Sequence, residues 1–149
     1  MRGPYRRRRI HSPPRFGHFK PAGVPKRHLG RVELSVDEFE AIRLVDHQQL
    51  EHLEASEKMG ISRPTLTRLI EKARHKVAEA IIEGKEIVIE GGNVLFEETL
   101  HRCGDCGEVT PHPVDEEADH CPDCGSQNVE DLAPRFLGRH RGWRRGRDR

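Results

Sequence analysis

Ala55-Ser56-Glu57-Lys58-Met59-Gly60-Ile61-Ser62-Arg63-Pro64-Thr65-Leu66-Thr67-Arg68-Leu69-Ile70 is patterned as two helices with a sharp corner between them. Such a corner needs a small side chain on the first helix and a glycine-like residue in the turn. It also needs apolar residues at fixed offsets that lock the helices together. Ala55, Ser56, Met59, Gly60, Ile61, Leu66 and Leu69 fill those positions in order. Ser56 stands where alanine is usual, at a modest packing cost. The set predicts a helix-turn-helix.

Upstream, a short helix is expected from about Leu50 to Met59, after a polar connection at Asp46 to Gln49. An earlier helix starts after Ser35, with Glu38 three residues on at capping-box spacing. Phe39, Ala41, Ile42, Leu44 and Val45 supply its buried side. Downstream, Leu66, Leu69, Ile70, Ala73, Val77, Ala80 and Ile81 recur at helical spacing until Gly84, which terminates the run. This predicts one helix over 63–83, roughly 30 Å long. Beyond it, Glu86 to Glu90 is β-prone, Gly91-Gly92-Asn93 signals a turn, and Val94 to Phe96 is expected to return as a partner strand.

In a helix-turn-helix the second helix enters the major groove. With Leu66, Leu69, Ala73 and Val77 inward, the other face of 63–83 carries Pro64, Thr65, Arg68, Lys72 and His75. Arg63 and Thr67 lie near the end that reaches base edges. Arg68 is the first choice for a base contact, because a guanidinium pairs bidentately with guanine. Lys72, Arg74 and Lys76 lie further along, where phosphates are met. Ser62 and the first amides of the helix can hold a phosphate through the helix dipole.

Charge is segregated. The net charge is only +1, yet no acidic residue precedes Glu33, while Arg2, Arg6 to Arg9, Arg15, Lys20, Lys26, Arg27 and Arg31 are basic. The tail after Leu132 carries Arg135, Arg139, Arg141, Arg144, Arg145, Arg147 and Arg149 against Asp148 alone. Two basic arms around an acidic middle suit polyanion binding. Arg6, Arg7, Arg8 and Arg9 are candidates for the minor groove or for phosphates.

With 34% hydrophobic and 5% aromatic residues, a single large core is not expected. Small modules helped by a metal fit better. No apolar stretch approaches the ~20 residues that span a bilayer, so no membrane role is expected. The basic N-terminus has no apolar segment behind it and is not a secretory signal. The expected place is the cytoplasm, on the nucleoid, where cysteines stay reduced.

Cys103-Gly-Asp-Cys106-Gly107 and Cys121-Pro-Asp-Cys124-Gly125 are two C-x2-C knuckles. Each turns two thiolates toward one point, and four thiolates make the closed shell of a structural zinc site. The chemistry points to one structural Zn2+, as a zinc ribbon. A filled shell leaves no position for an activated water, so catalysis by this metal is not expected.

The expected fold class is mainly α: a helix-turn-helix domain with a long recognition helix, a short β segment or hairpin, and a C-terminal four-cysteine ribbon. The expected divisions are a largely extended basic arm (1–31), the helix-turn-helix domain (32–98), the ribbon (99–132) and a basic disordered tail (133–149).

Phe19-Lys20-Pro21-Ala22-Gly23-Val24-Pro25, Val36-Asp37-Glu38-Phe39-Glu40-Ala41-Ile42-Arg43-Leu44-Val45-Asp46, Lys58-Met59-Gly60-Ile61-Ser62-Arg63-Pro64-Thr65, and Ala73-Arg74-His75-Lys76-Val77-Ala78 through Gly91-Gly92 together resemble the domain-of-unknown-function 134 family. The resemblance covers about residues 16–92. It implies a prokaryotic DNA-binding protein whose helix-turn-helix is similar to region 4 of sigma-70 factors. The sequence departs from the pattern at Ser56 and adds basic ends and a cysteine module.

The expected function is therefore sequence-specific binding of duplex DNA in transcriptional regulation. RNA polymerase or another protein is a candidate partner of the ribbon, and the Ile87 to Phe96 region is a candidate homodimer surface. The competing reading is an RNA- or ribosome-associated zinc-ribbon protein, since Arg-Gly tails containing Trp143 also suit RNA. An enzyme is not expected, because no carboxylate cluster, Ser/His/Asp pattern or phosphate loop stands out.

Overall fold

A computed structural model describes residues 7–137; Arg6 and the tail beyond Leu137 lie outside the described residues. Strand β1 (Arg8–Ile10) leads to β2 (His18–Phe19) and β3 (Arg31–Leu34). Helix α1 (Val36–Ala41) follows and runs on as a π-helical turn, Ile42–His47; then come α2 (His52–Met59) and α3 (Arg63–Glu83). Strands β4 (Glu86–Ile89) and β5 (Val94–Phe96) precede β6 (Thr99–Cys103), β7 (Val109–His112), β8 (Val129–Asp131) and the short α4 (Ala133–Phe136).

The helical expectations are met closely. The Ser35–Glu38 capping box forms in both directions, Ser62 accepts the Thr65 amide at the head of α3, and Gly84 ends α3 in the left-handed conformation. The fold class is not mainly α, however. Of the described residues 37% are helical and 21% are in strands, which form three sheets.

Two of the strands, β1 and β2, come from the segment read as an extended arm, and β3 begins at its end. Strand β1 pairs in parallel with β5, while β2 lies antiparallel and β3 parallel to the central β4. The expected hairpin does not form: β4 and β5 belong to different sheets. Gly91 and Gly92, at φ 83° and 100°, carry the chain from one sheet to the other. Strands of two to four residues give little pattern to read, although Arg31-Val32-Glu33-Leu34 alternates in burial, and each of these partners is remote in sequence. A parallel β3–β4 pair also needs a long crossover, and the α1–α3 unit is that crossover.

One core runs through the molecule. Ile10, Leu34, Val36, Leu44, Met59, Leu66, Ile70, Ile89 and Phe96 cluster with Leu100, Leu132, Phe136 and Leu137 from the cysteine-bearing half. Burial of this apolar surface is the main stabilising term. Sheet β7-β6-β8 is thus seated on the helical unit through its rear and α4. Among the described residues no helix is long and apolar enough to cross a membrane.

Candidate nucleic-acid interface and metal centre

The corner between α2 and α3 is set by Gly60, left-handed at φ 69° and ψ 32°, whose amide donates to the last turn of α2. The Ile61 amide donates to the Ser56 carbonyl at 3.0 Å. Ser56 is buried, and its hydroxyl donates to the Leu53 carbonyl at 2.7 Å. A buried serine costs stability only when its hydroxyl is unmatched, so this bond explains why serine is accommodated there. Ala55, Met59, Leu66, Leu69 and Ile70 close the interface.

Ser62, Arg63, Pro64, Arg68, Lys72, Arg74 and His75 are exposed on α3, while Thr65, Thr67 and Lys76 are half-buried. Their partners separate them. Among the described residues Arg63, Arg68 and Lys72 form no ion pair, so the outer face of the first half of α3 holds three uncompensated cations. Ser62 and Thr65 share a hydroxyl pair at 2.7 Å. Thr67 Oγ1 lies 2.8 Å from His52 Nδ1, which fixes α3 against α2 and turns Thr67 inward.

The second half of the helix is spent on the protein. Arg74 reaches Asp46 at 2.6 Å, and that hydrogen bond holds its guanidinium above its ordinary pKa. Lys76 reaches the buried Glu38 at 2.7 Å. Of the basic cluster, Arg7 is exposed and Arg8 pairs with Asp37 at 2.7 Å. Arg9 donates to the Glu57 carbonyl at 2.9 Å and its Nε lies 3.4 Å from where a Cβ on Gly60 would stand. Arg8 and Arg9 therefore brace β1 against α1 and the α2–α3 corner. His52, Asp37 and the Glu57 carbonyl gave no sign of these roles in the sequence, since their partners lie 15, 29 and 48 residues away.

Cys103, Cys106, Cys121 and Cys124 converge, with all four sulfurs within 4.8 Å of one another. Cys103 and Cys124 are 3.5 Å apart and Cys106 and Cys121 are 3.7 Å apart. Each knuckle turns as its spacing requires. Gly107 donates to the Cys103 carbonyl and Gly125 to that of Cys121, both glycines being left-handed. Amides of Asp105 and Cys106 point at the Cys103 sulfur, and that of Asp123 at Cys121. The Cys106 amide, ahead of burial, sets the Cys103 thiol, which falls to about 6. Amide donors stabilise thiolate over thiol. The knuckles are also cross-linked: Asp105 accepts from Ser126 and from the Asn128 side chain. Four thiols so placed can hold a metal ion.

Residues 1–97 match the family described as "Protein of unknown function DUF134". A "UPF0251 protein" of Chloroherpeton thalassium is 52% identical over 147 residues, 99% of this chain and 97% of its own length. Relatives of the same name from Moorella thermoacetica and Methanothermobacter thermautotrophicus are 46% and 40% identical, covering 94% and 99% of this chain and 91% and 79% of their own lengths. These alignments run through the cysteine segment, so it is not an addition peculiar to this chain. No solved structure matches.

Proposed function

Since this chain belongs to the DUF134 family, whose description assigns no activity, we propose from its own surface that it is a sequence-specific duplex-DNA-binding protein acting in transcriptional regulation. The observation that carries this is the uncompensated cationic face of Arg63, Arg68 and Lys72 on a helix fixed by a helix-turn-helix corner. A helix so presented enters the major groove with its first turns leading. In this reading Arg68 reads a base, Arg63 and Lys72 meet phosphates, and the Ser62 end of α3 adds its dipole. Cytoplasmic, nucleoid-bound protein is the corresponding location.

The metal of this reading is zinc. A tetrahedral shell with Zn–S bonds of ~2.3 Å has sulfurs about 3.8 Å apart, close to the 3.5 and 3.7 Å separations here. The residues therefore fit a structural zinc ion, which would staple the two knuckles.

The test is binding to random duplex across a salt series. Each phosphate contact contributes about 0.9 to the slope of log K against log salt. Arg63→Ala and Lys72→Ala should each lower the slope by about that amount, whereas Lys76→Met should leave it unchanged. Slopes indifferent to Arg63 and Lys72 would remove α3 from the interface.

A further inference from the structure

A second surface, remote from the reading end of α3, is built for nucleic acid by different means. Residues 7–32 contain no acidic side chain, yet they carry two of the most exposed aromatic rings, Phe16 at 58% and Phe19 at 51%. Two large rings exposed close together on a basic segment mark a candidate interaction surface.

The rings are held in place. Phe19 sits on β2, in register with Ile87 of the central strand. Gly17, between the rings, has its carbonyl bound by the Ile89 amide, and a Cβ there would meet the Phe136 ring at 3.0 Å. Arg102, next to the first knuckle, lays its guanidinium 4.4 Å from the Phe16 centroid and donates to the Arg15 carbonyl. It pairs with no carboxylate among the described residues, and its Nε has no hydrogen-bond partner there. That guanidinium is placed for a ring, not for an acid.

The cations at the rings are free while the neighbouring acids are paired. Arg15 is exposed and makes no ion pair among the described residues, whereas Glu90 is held by Arg31 at 2.8 Å and Glu130, opposite Arg102, by Arg135 at 2.6 Å. The nearby Glu86 is buried and covered by His18 at 3.2 Å and Lys26 at 3.7 Å. Three residues of chain keep Phe16 and Phe19 within about 10 Å of each other. Phe19 and Lys20 also share a groove of about 280 Å³ with Ala80, Ile81 and Gly84, which places this surface at the far end of α3, roughly 30 Å from Arg63.

We infer that Phe16 and Phe19, with Arg15, Lys20 and the Arg102 guanidinium, form a binding surface for single-stranded nucleic acid. Unpaired bases stack on the rings and the cations follow the backbone, the combination by which strand binders work without sequence preference. A duplex offers no open base face to such rings, so this surface and the duplex-reading helix select different forms of nucleic acid. The inference does not depend on α3 binding duplex.

The test uses the full-length, zinc-loaded protein with labelled 15-nucleotide oligo-dT, oligo-U and a random duplex. Phe16→Ala and Phe19→Ala keep every charge and remove only exposed rings. Each should weaken single-strand binding roughly 5- to 100-fold and change duplex binding less than twofold, with Phe19→Trp restoring it. Comparing oligo-dT with oligo-U shows whether DNA or RNA is the preferred source of the strand. Equal loss on strand and duplex, unchanged strand binding, or self-association of the wild type that Phe19→Ala abolishes would each overturn the inference. Failure of the Arg63 and Lys72 variants to alter duplex binding would instead strike the helix reading alone.

Discussion

Replacing Lys76 by methionine removes the cation from a pair whose acid has no route to water. Glu38 is 2% exposed. Its Oε1 accepts the Ser35 amide at 2.9 Å in the capping box and the Lys76 ammonium at 2.7 Å. Loss of one partner from a buried pair costs about 3–5 kcal/mol when the survivor stays buried and charged. Lys76 is 26% exposed in its side chain, so solvent screens part of this, and about 2–3 kcal/mol is expected for Lys76→Met. Glu38→Gln should cost less, about 1 kcal/mol. The amide keeps the cap, and the freed lysine can extend into solvent. Urea unfolding of the zinc-loaded protein, followed by helical circular dichroism, measures both. Equal costs, or a larger cost for Glu38→Gln, would refute the argument that burial of the acid sets the asymmetry. This pair makes Lys76 part of the scaffold, apart from the cations Arg63, Arg68 and Lys72, unpaired among the described residues.

Removing the metal should lower the unfolding midpoint of the helices as well as disorder the knuckles, because Leu100, Leu132, Phe136 and Leu137 share the helical core; chelation followed at 222 nm checks this, and an unchanged helical midpoint would separate the halves. Gly92→Ala should destabilise by about 1–3 kcal/mol, since φ is +100° and the new Cβ would meet Asp37 Oδ1 at 3.2 Å; a neutral result in thermal melting would contradict the geometry. Gly104→Ala should reduce metal retention in a chelator competition, as its Cβ would fall 2.3 Å from the Asn128 side chain; retention equal to wild type would mean that the second knuckle can give way.

What the sequence made legible was local. Helix caps at Ser35 and Ser62, the left-handed Gly60 and Gly84, and the C-x2-C knuckles depend on residues within a few positions of each other, and the caps, the turns and the convergence of the four thiols form as read. The sheets were not legible, because β1 meets β5 and β2 meets β4 across most of the helical unit. Composition made residues 1–31 look like an arm, yet Ile10 is fully buried and Ser12, Pro13 and Pro14 are buried too. The same limit applied to the candidate interface. Cation content marked Arg8, Arg9, Arg74 and Lys76 together with Arg63, Arg68 and Lys72, but only tertiary partners such as Asp37, Asp46 and Glu38 distinguish a brace from a free charge. The Arg102–Phe16 contact, backed by the Arg102–Arg15 bond between residues 87 positions apart, had no sequence signature at all.

The central claim is that α3 reads duplex sequence through Arg68. Selection from a pool of genomic duplex fragments at moderate salt, run in parallel for wild type and Arg68→Ala, tests it directly. The account predicts a discrete enriched motif for the wild type, with preference at one position relaxed by about 1–3 kcal/mol in the variant and binding to random duplex less affected. A pool that stays motif-free, or that collapses equally for both proteins as salt rises, would contradict it.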